Sequence, residues 1–367
     1  MPPEPLPSRS APGWGPALRA WYRRHRRAMP WRGTRDPYRV WVSEVMLQQT
    51  QVATATPFYQ RFLERFPTLE SLARAGEPAV LAAWSGLGYY RRARHLREAA
   101  RIVVRDHGGR VPDDARAFGA LPGVGRYTTA AVLSICFDRP LAVLDGNVAR
   151  VLSRVHALRA SVRQPRGARA LWALADTLVP MRDPGDWNQA LMELGAVVCT
   201  PRAPRCDRCP LRAHCRARAN GRVEDYPAPA PRRARVAVRR AVAWIERGGR
   251  VLVARRRGAL LEGLWEPPGV DLERGTDART ALAAELKRLG VRARLAPTGR
   301  RVRHAITYRD LVVEVWRGSA SAAKRVPGLA WIDARRPAVA LTALARKAIA
   351  ALGDGVPPTQ AGGGGGR

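Results

Sequence analysis

From Trp14 to about Tyr226, apolar residues recur at three- and four-residue intervals, with Gly and Pro between the runs. That spacing puts them on one face of a helix. It predicts helical segments at Tyr38–Val52, Pro78–Trp84, Tyr90–Asp106 and Tyr127–Phe137. A Pro-rich, basic stretch, Asp225–Arg235, breaks the pattern and reads as a linker. Beyond it the runs are short and β-branched. Val236–Ile245, Val251–Ala254 and Leu311–Trp316 predict strands, while Ala278–Leu289 and Arg335–Leu352 predict helices. The pattern therefore predicts disordered residues 1–14, an all-α domain over 15–225, a linker over 226–236, an α+β domain over 237–352 and a glycine-rich flexible tail over 353–367.

Composition sharpens this division. An apolar fraction of 46% in 367 residues supports packed cores, and no run is long enough to span a membrane. Without a secretory signal, the expectation is a cytoplasmic protein. The formal net charge of +34 predicts a polyanion partner, most simply nucleic acid. Arginine carries nearly all of it, since lysine occurs only at Lys287, Lys324 and Lys347. The guanidinium fork suits two-point contacts to phosphate.

Three features carry chemistry. Cys199, Cys206, Cys209 and Cys215 fall in one short segment, with Cys136 the sole cysteine elsewhere and expected in a core. Four thiolates so close predict a metal site, either zinc or an iron–sulfur cluster. Gly123-Val124-Gly125, between two helical runs, can turn backbone N–H groups and a helix N-terminus toward a phosphate. Glu44 has Val40, Trp41, Leu47 and Gln48 as its helical neighbours, so burial should raise its pKa and make it a proton donor. Asp145 precedes the helical Val148–Val155 as an N-cap, and the cap's hydrogen bonds should keep it ionised. A protonated acid with an ionised partner is the pair needed to break a glycosidic bond through an oxocarbenium-like state.

These motifs together resemble the helix–hairpin–helix DNA glycosylase superfamily and, within it, the MutY-type adenine glycosylases. The resemblance rests on Pro30-Trp31-Arg32, Ser43–Val52, Gly86–Tyr90, Leu121–Gly125, Leu144–Val148, Asn188–Gly195 and the cysteine loop 199–215. It implies a [4Fe–4S] cluster on the four cysteines. It also implies removal of adenine from double-stranded DNA containing A:8-oxoguanine or A:G mispairs, by a monomer acting on the bacterial nucleoid. Glu44 would protonate the base, and Asp145 would stabilise the sugar cation by charge or a transient covalent adduct. Tyr127 and Asn147 would position them. Trp31, Arg32 and Gln189 match the adenine pocket, and Gln49, Thr50, Leu87 and Tyr89 match loops entering the stack around the orphan base.

The related endonuclease III type places a lysine just after the hairpin as Schiff-base nucleophile. Tyr127 stands there in this chain, and no lysine precedes residue 287, so a monofunctional enzyme without lyase action is expected. A DNA-binding redox sensor would share the hairpin and cysteines but has no need of the two carboxylates. The second domain resembles Nudix modules that recognise 8-oxoguanine. Its segment 283–291 lacks most of the glutamates with which Nudix hydrolases hold divalent metal, so pyrophosphate hydrolysis is not expected. The lesion-sensing Phe-Ser-His loop appears as Ile306-Thr307-Tyr308, keeping only the Thr307 hydroxyl.

Overall fold

The computed structural model describes residues 12–228, 234–257, 261–306, 308–322 and 326–353. The predicted disordered N-terminus up to residue 11, linker residues 229–233, Thr307 and the tail from residue 354 lie outside the described residues. The chain divides into two compact units, one from Met1–Ala83 with Arg91–Arg232, the other from Trp84–Tyr90 with Arg233–Arg367.

The first unit is helical. Its helices are α1 (Gly15–His25), α2 (Pro37–Leu47), α3 (Val52–Arg65), α4 (Leu69–Arg74), α5 (Glu77–Ala83), α6 (Arg91–Asp106), α7 (Ala115–Gly119), α8 (Arg126–Phe137), α9 (Gly146–Val155), α10 (Pro165–Leu178), α11 (Pro184–Val197) and α12 (Arg216–Ala219). Helix α2 starts where the Asp36 carboxylate accepts from the amides of Tyr38 and Arg39, with Pro37 at the first helical position. Val40, Trp41, Val42, Val45 and Met46 are each at most 4% exposed, so α2 is buried around most of its circumference. A second core joins α1, α8, α9, α10 and α11 through Leu18, Tyr22, Ala131, Leu152, Leu171 and Leu191.

The predicted helix Tyr38–Val52 is in fact two. Helix α2 stops at Leu47, Gln49 takes a left-handed conformation (φ 57°), and α3 opens at Val52. The cause is a side chain four helices away in sequence. Arg92 Nη1 donates to the carbonyls of Val45 (2.7 Å), Met46 (2.9 Å) and Gln48 (2.6 Å), and Nη2 donates to Thr50 Oγ1 (3.2 Å). These are the carbonyls a helix end leaves without partners.

The second unit is built on strands β1 (Val236–Arg247), β2 (Arg250–Arg255), β3 (Trp265–Glu266), β4 (Gly269–Leu272), β5 (Arg292–Ile306), β6 (Arg309–Ala322) and β7 (Leu329–Asp333), with helices α13 (Ala278–Arg288) and α14 (Ala343–Gly353). The strand order is β3-β2-β1-β6-β5, with β4 also on β1 and β7 on β2. β1 and β6 run parallel, and the other pairs are antiparallel. Alternation along β1 sends Ala241, Ala243 and Ile245 toward a core with Leu282 and Leu286 of α13. Val242 and Trp244 face the opposite core with Leu344 and Leu352 of α14.

One expectation needs correction here, and one strand was not anticipated. Arg335–Leu352 is helical only from Ala343, because Leu341 instead bridges to Trp265. The fifteen-residue strand β5 escapes the pattern because exposed arginines at 292, 300, 301 and 303 fill it, and a register shift at Pro297 interrupts its alternation.

Candidate active site

A cavity of about 590 Å³ opens in the helical unit, and Trp31, Arg32, Glu44, Tyr127, Asp145 and Asn147 are among its lining. Gln49, Thr50 and Gln189 line it too. The structure thus gathers residues from α2, α8, α9, α11 and two loops around one space.

Glu44 is 6% exposed on α2. Tyr127 Oη donates to its Oε2 at 2.9 Å and lies 3.2 Å from Met192 Sδ. Burial lifts the Glu44 carboxyl to about 7, and the charge of Asp145 adds to the rise. The Tyr127 hydrogen bond and the Arg32 charge only partly oppose this. Burial also pushes the Tyr127 phenol well above its usual range, so it remains a donor.

Asp145 caps α9. Its Oδ1 accepts from the Val148 amide at 2.7 Å, and its Oδ2 accepts from Asn147 Nδ2 at 2.9 Å. The sequence led us to expect that these bonds keep the group ionised. They do act to lower its pKa, but burial is the larger influence and the net shift is upward. The bonds and the charge of Arg150 limit the rise. Arg150 also donates to Asn147 Oδ1 (2.8 Å), the Gly195 carbonyl (2.8 Å) and the Cys199 carbonyl (2.7 Å), fastening the start of α9 to α11 and the cysteine loop.

Glu193 also lines the cavity, with its side chain 1% exposed. Arg27 Nε donates to its Oε1 at 2.7 Å, and Arg32 Nη2 to its Oε2 at 2.6 Å. Burial alone would raise its pKa, but the Arg27 hydrogen bond and Arg32 charge prevail and lower it. Arg32 Nη1 is buried with no hydrogen-bond partner. Trp31, 8% exposed, meets Tyr59 edge to face. Glu193, Arg27, Arg92 and Arg150 were not singled out from sequence, since an isolated Arg or Glu shows no partner until the helices are packed.

Leu87 and Tyr89 are not in the cavity lining. Both belong to the Trp84–Tyr90 segment, where Leu87 is 6% exposed and Tyr89 44% exposed. Gly123 takes φ 76°, and Gly125 caps α8 without a side chain, leaving the amides of its first turn available. A Cβ on Gly123 would lie 2.7 Å from His95 Cβ.

Cys199, Cys206, Cys209 and Cys215 surround one small apolar hollow with Val151, Val155 and Leu211. Arg154, 2% exposed, donates to Cys199 Sγ (3.3 Å) and to the carbonyls of Thr200, Val223 and Tyr226. Among the described residues, no three His, Cys, Asp or Glu side chains gather closely enough for a single ion. Also among them, no helix is long and apolar enough to cross a membrane.

Comparison with known proteins gives this geometry a context. Residues 42–175 match the profile described as the HhH-GPD superfamily of base excision DNA repair proteins. Residues 241–351 match a NUDIX domain profile. Adenine DNA glycosylase of Rattus norvegicus is 38% identical over 375 residues, covering 86% of this chain and 73% of that protein. The Homo sapiens adenine DNA glycosylase is 40% identical over 328 residues, covering 74% of this chain, which spans 60% of the human protein. The structure of a thermostable thymine-DNA glycosylase is 33% identical, with a TM-score of 0.52, over 56% of this chain and 95% of that one. The chain belongs to the adenine DNA glycosylase family, within the helix–hairpin–helix base excision repair superfamily.

Proposed function

We propose that this chain hydrolyses the N-glycosidic bond of adenine mispaired with 8-oxoguanine or guanine in duplex DNA, and leaves the strand intact. The observation that carries this reading is the pairing of Glu44 and Asp145 on one cavity, joined by their charge interaction, with Tyr127 where a lyase needs lysine. The +34 net charge supports a polyanionic substrate. The chain would act as a monomer on nucleoid DNA in the cytoplasm.

An extruded adenine would stack near Trp31. The paired Glu193 carboxylate and the partnerless Arg32 Nη1 supply an acceptor and a donor for its edge. Protonated Glu44 gives its proton to a ring nitrogen, which makes the base a neutral leaving group as the bond from C1′ to N9 breaks. Asp145, held by Asn147 and the α9 amides, faces the cationic sugar. The Glu44 carboxylate then takes a proton from the water that adds to C1′, and the acid is restored. Gln49, Thr50 and Tyr89 are the loop residues that would meet the strand around the lesion, and Leu87 would first have to leave its packing.

Cys199, Cys206, Cys209 and Cys215 would hold a [4Fe–4S] cluster. All four line one shared hollow, which supports a common metal centre on these thiolates. When bound, it would fasten the 199–215 loop against α9, and the hydrolysis itself exchanges no electrons.

Duplexes carrying A:8-oxoguanine, A:G, A:C or thymine glycol test the assignment. Free adenine from the first two is expected, with strand breaks only after alkali and no borohydride-trapped complex. Release of thymine glycol, or trapping, would defeat it. The hairpin has its own test. Gly123→Ala puts a Cβ into a left-handed position against His95, a strain of roughly 1–3 kcal/mol. Duplex binding by fluorescence anisotropy should weaken about tenfold. An unchanged Kd would remove the Gly123–Gly125 turn from the DNA interface.

A further inference from the structure

Gln49 stands between α2 and α3 with its backbone in the left-handed region (φ 57°) and its side chain exposed. A residue with a Cβ keeps that conformation only where its surroundings enforce it. Here the enforcement comes from α6. Arg92, half-buried, donates through Nη1 to the carbonyls of Val45, Met46 and Gln48 and through Nη2 to Thr50 Oγ1. One guanidinium therefore grips the chain on both sides of Gln49. The turn cannot relax without leaving carbonyls of a helix end unpaired. Gln49 and Thr50 line the large cavity, and Arg92 is not in that lining. Arg92 and His95 instead share a separate hollow of about 40 Å³ with Gln48 and with Pro122 and Gly123 of the hairpin. The strained turn and the hairpin thus rest on neighbouring side chains of one helix.

We propose that Arg92 is a positioning residue for base discrimination: by holding the 45–50 turn in its strained shape, it presents Gln49 and Thr50 to the base pair being inspected. This rests on the role proposed above for Gln49 and Thr50 at the strand around the lesion. A glutamine amide offers both a donor and an acceptor to a base edge. It discriminates only if its direction is fixed, because a freely turning amide can satisfy any base. Arg92 supplies that direction from outside the cavity. Its two nitrogens, set in one plane, reach acceptors on either side of Gln49, which a single ammonium point cannot do. The hollow shared with Pro122 and Gly123 adds a second consequence. A phosphate held at the hairpin and a base met by the turn are registered against the same helix. Arg92 therefore sets selectivity, while Glu44 and Asp145 set the rate of bond breaking.

The test compares the full chain with Arg92→Lys, Gln49→Ala and the double variant. Affinities are measured on A:8-oxoguanine and matched A:T duplexes whose 2′-fluoro adenosine resists cleavage. The preference for the mispair should fall about tenfold in Arg92→Lys. Single-turnover release at saturating enzyme should stay within about threefold of the parent, normalised to the active fraction. General damage to the fold would lower the active fraction and weaken both duplexes alike, leaving the preference intact. Because Arg92 acts through the turn, the double variant should be no less selective than the worse single variant. Losses that multiply in the double variant, or an undiminished preference in Arg92→Lys, overturn the proposal. Should Arg92→Lys fail to fold, Thr50→Val removes the Nη2 bond alone. It should then lower the preference in the same direction, by about threefold, and an unchanged preference would overturn the proposal equally. A parent without any preference for the mispair defeats the proposed function itself. A selective parent beside an equally selective Arg92→Lys defeats only this inference.

Discussion

Glu44→Gln should slow adenine release by about 10³-fold, the scale of a lost general acid–base group, while duplex affinity changes little. Gln fills the same volume and can still accept from Tyr127, so the pocket keeps its shape. It cannot deliver a proton. Single-turnover release of adenine, beside binding to the same duplex, measures both effects. Turnover within tenfold of the parent would remove Glu44 from the role of acid. The parent's pH profile carries the same information. With the acid form required and its pKa near 7, the rate should fall as pH rises through about 7. Asp145 must be ionised, so the acidic limb should sit above the ordinary aspartate value, in the direction of its shift. Stability should move the opposite way in the variant. A carboxyl whose pKa is raised from 4.5 to about 7 on folding is neutral in both states at low pH, and its penalty on the fold grows as pH rises above about 4.5 and is complete beyond 7. That penalty is on the order of 3 kcal/mol. Glu44→Gln should therefore melt at the same temperature as the parent near pH 4, and distinctly higher near pH 8.

The sequence exposes some of this arrangement and hides the rest for physical reasons. Glu44 announces its burial because Val40, Trp41 and Leu47 flank it at helical spacing, and a local pattern suffices to infer desolvation. Asp145 announces a cap for the same reason, being one residue before a helix. Its raised pKa was not legible, since that depends on how deeply α9 and α11 enclose it. The break at Gln48–Gln51 was equally hidden, because the Arg92 guanidinium that terminates α2 comes from α6. Glu193 lies inside a recognisable motif, yet its two arginine partners are more than 160 residues away in sequence. Among the strands, β1 holds a continuous apolar run, Ala241–Ile245, buried on both faces and easy to read. β5 buries only Leu295 and Val302, seven residues apart, with exposed arginines between and around them, so no alternation shows in the pattern.

Asp145→Asn separates two duties of one side chain and should cost about 10²–10³-fold in base release, the scale of removing one preorganised charge contact. Asn is as good an N-cap as Asp, so the bond to the Val148 amide and the start of α9 should survive. The protein should then melt within a few degrees of the parent. Asp145→Ala removes the cap as well, and should lose a further ~1 kcal/mol of stability at a similar rate. If capping were the whole role, Asn would restore activity and Ala alone would be impaired. Duplex affinity gives the third reading. Removing a carboxylate from a cavity facing DNA phosphates should leave binding unchanged or tighter, so weaker binding would mean that the helix had moved. The outcome that supports the mechanism is a stable, tightly bound and nearly inactive Asp145→Asn. A fast one would leave the sugar cation without its counter-charge, and the assignment of Asp145 would have to be withdrawn.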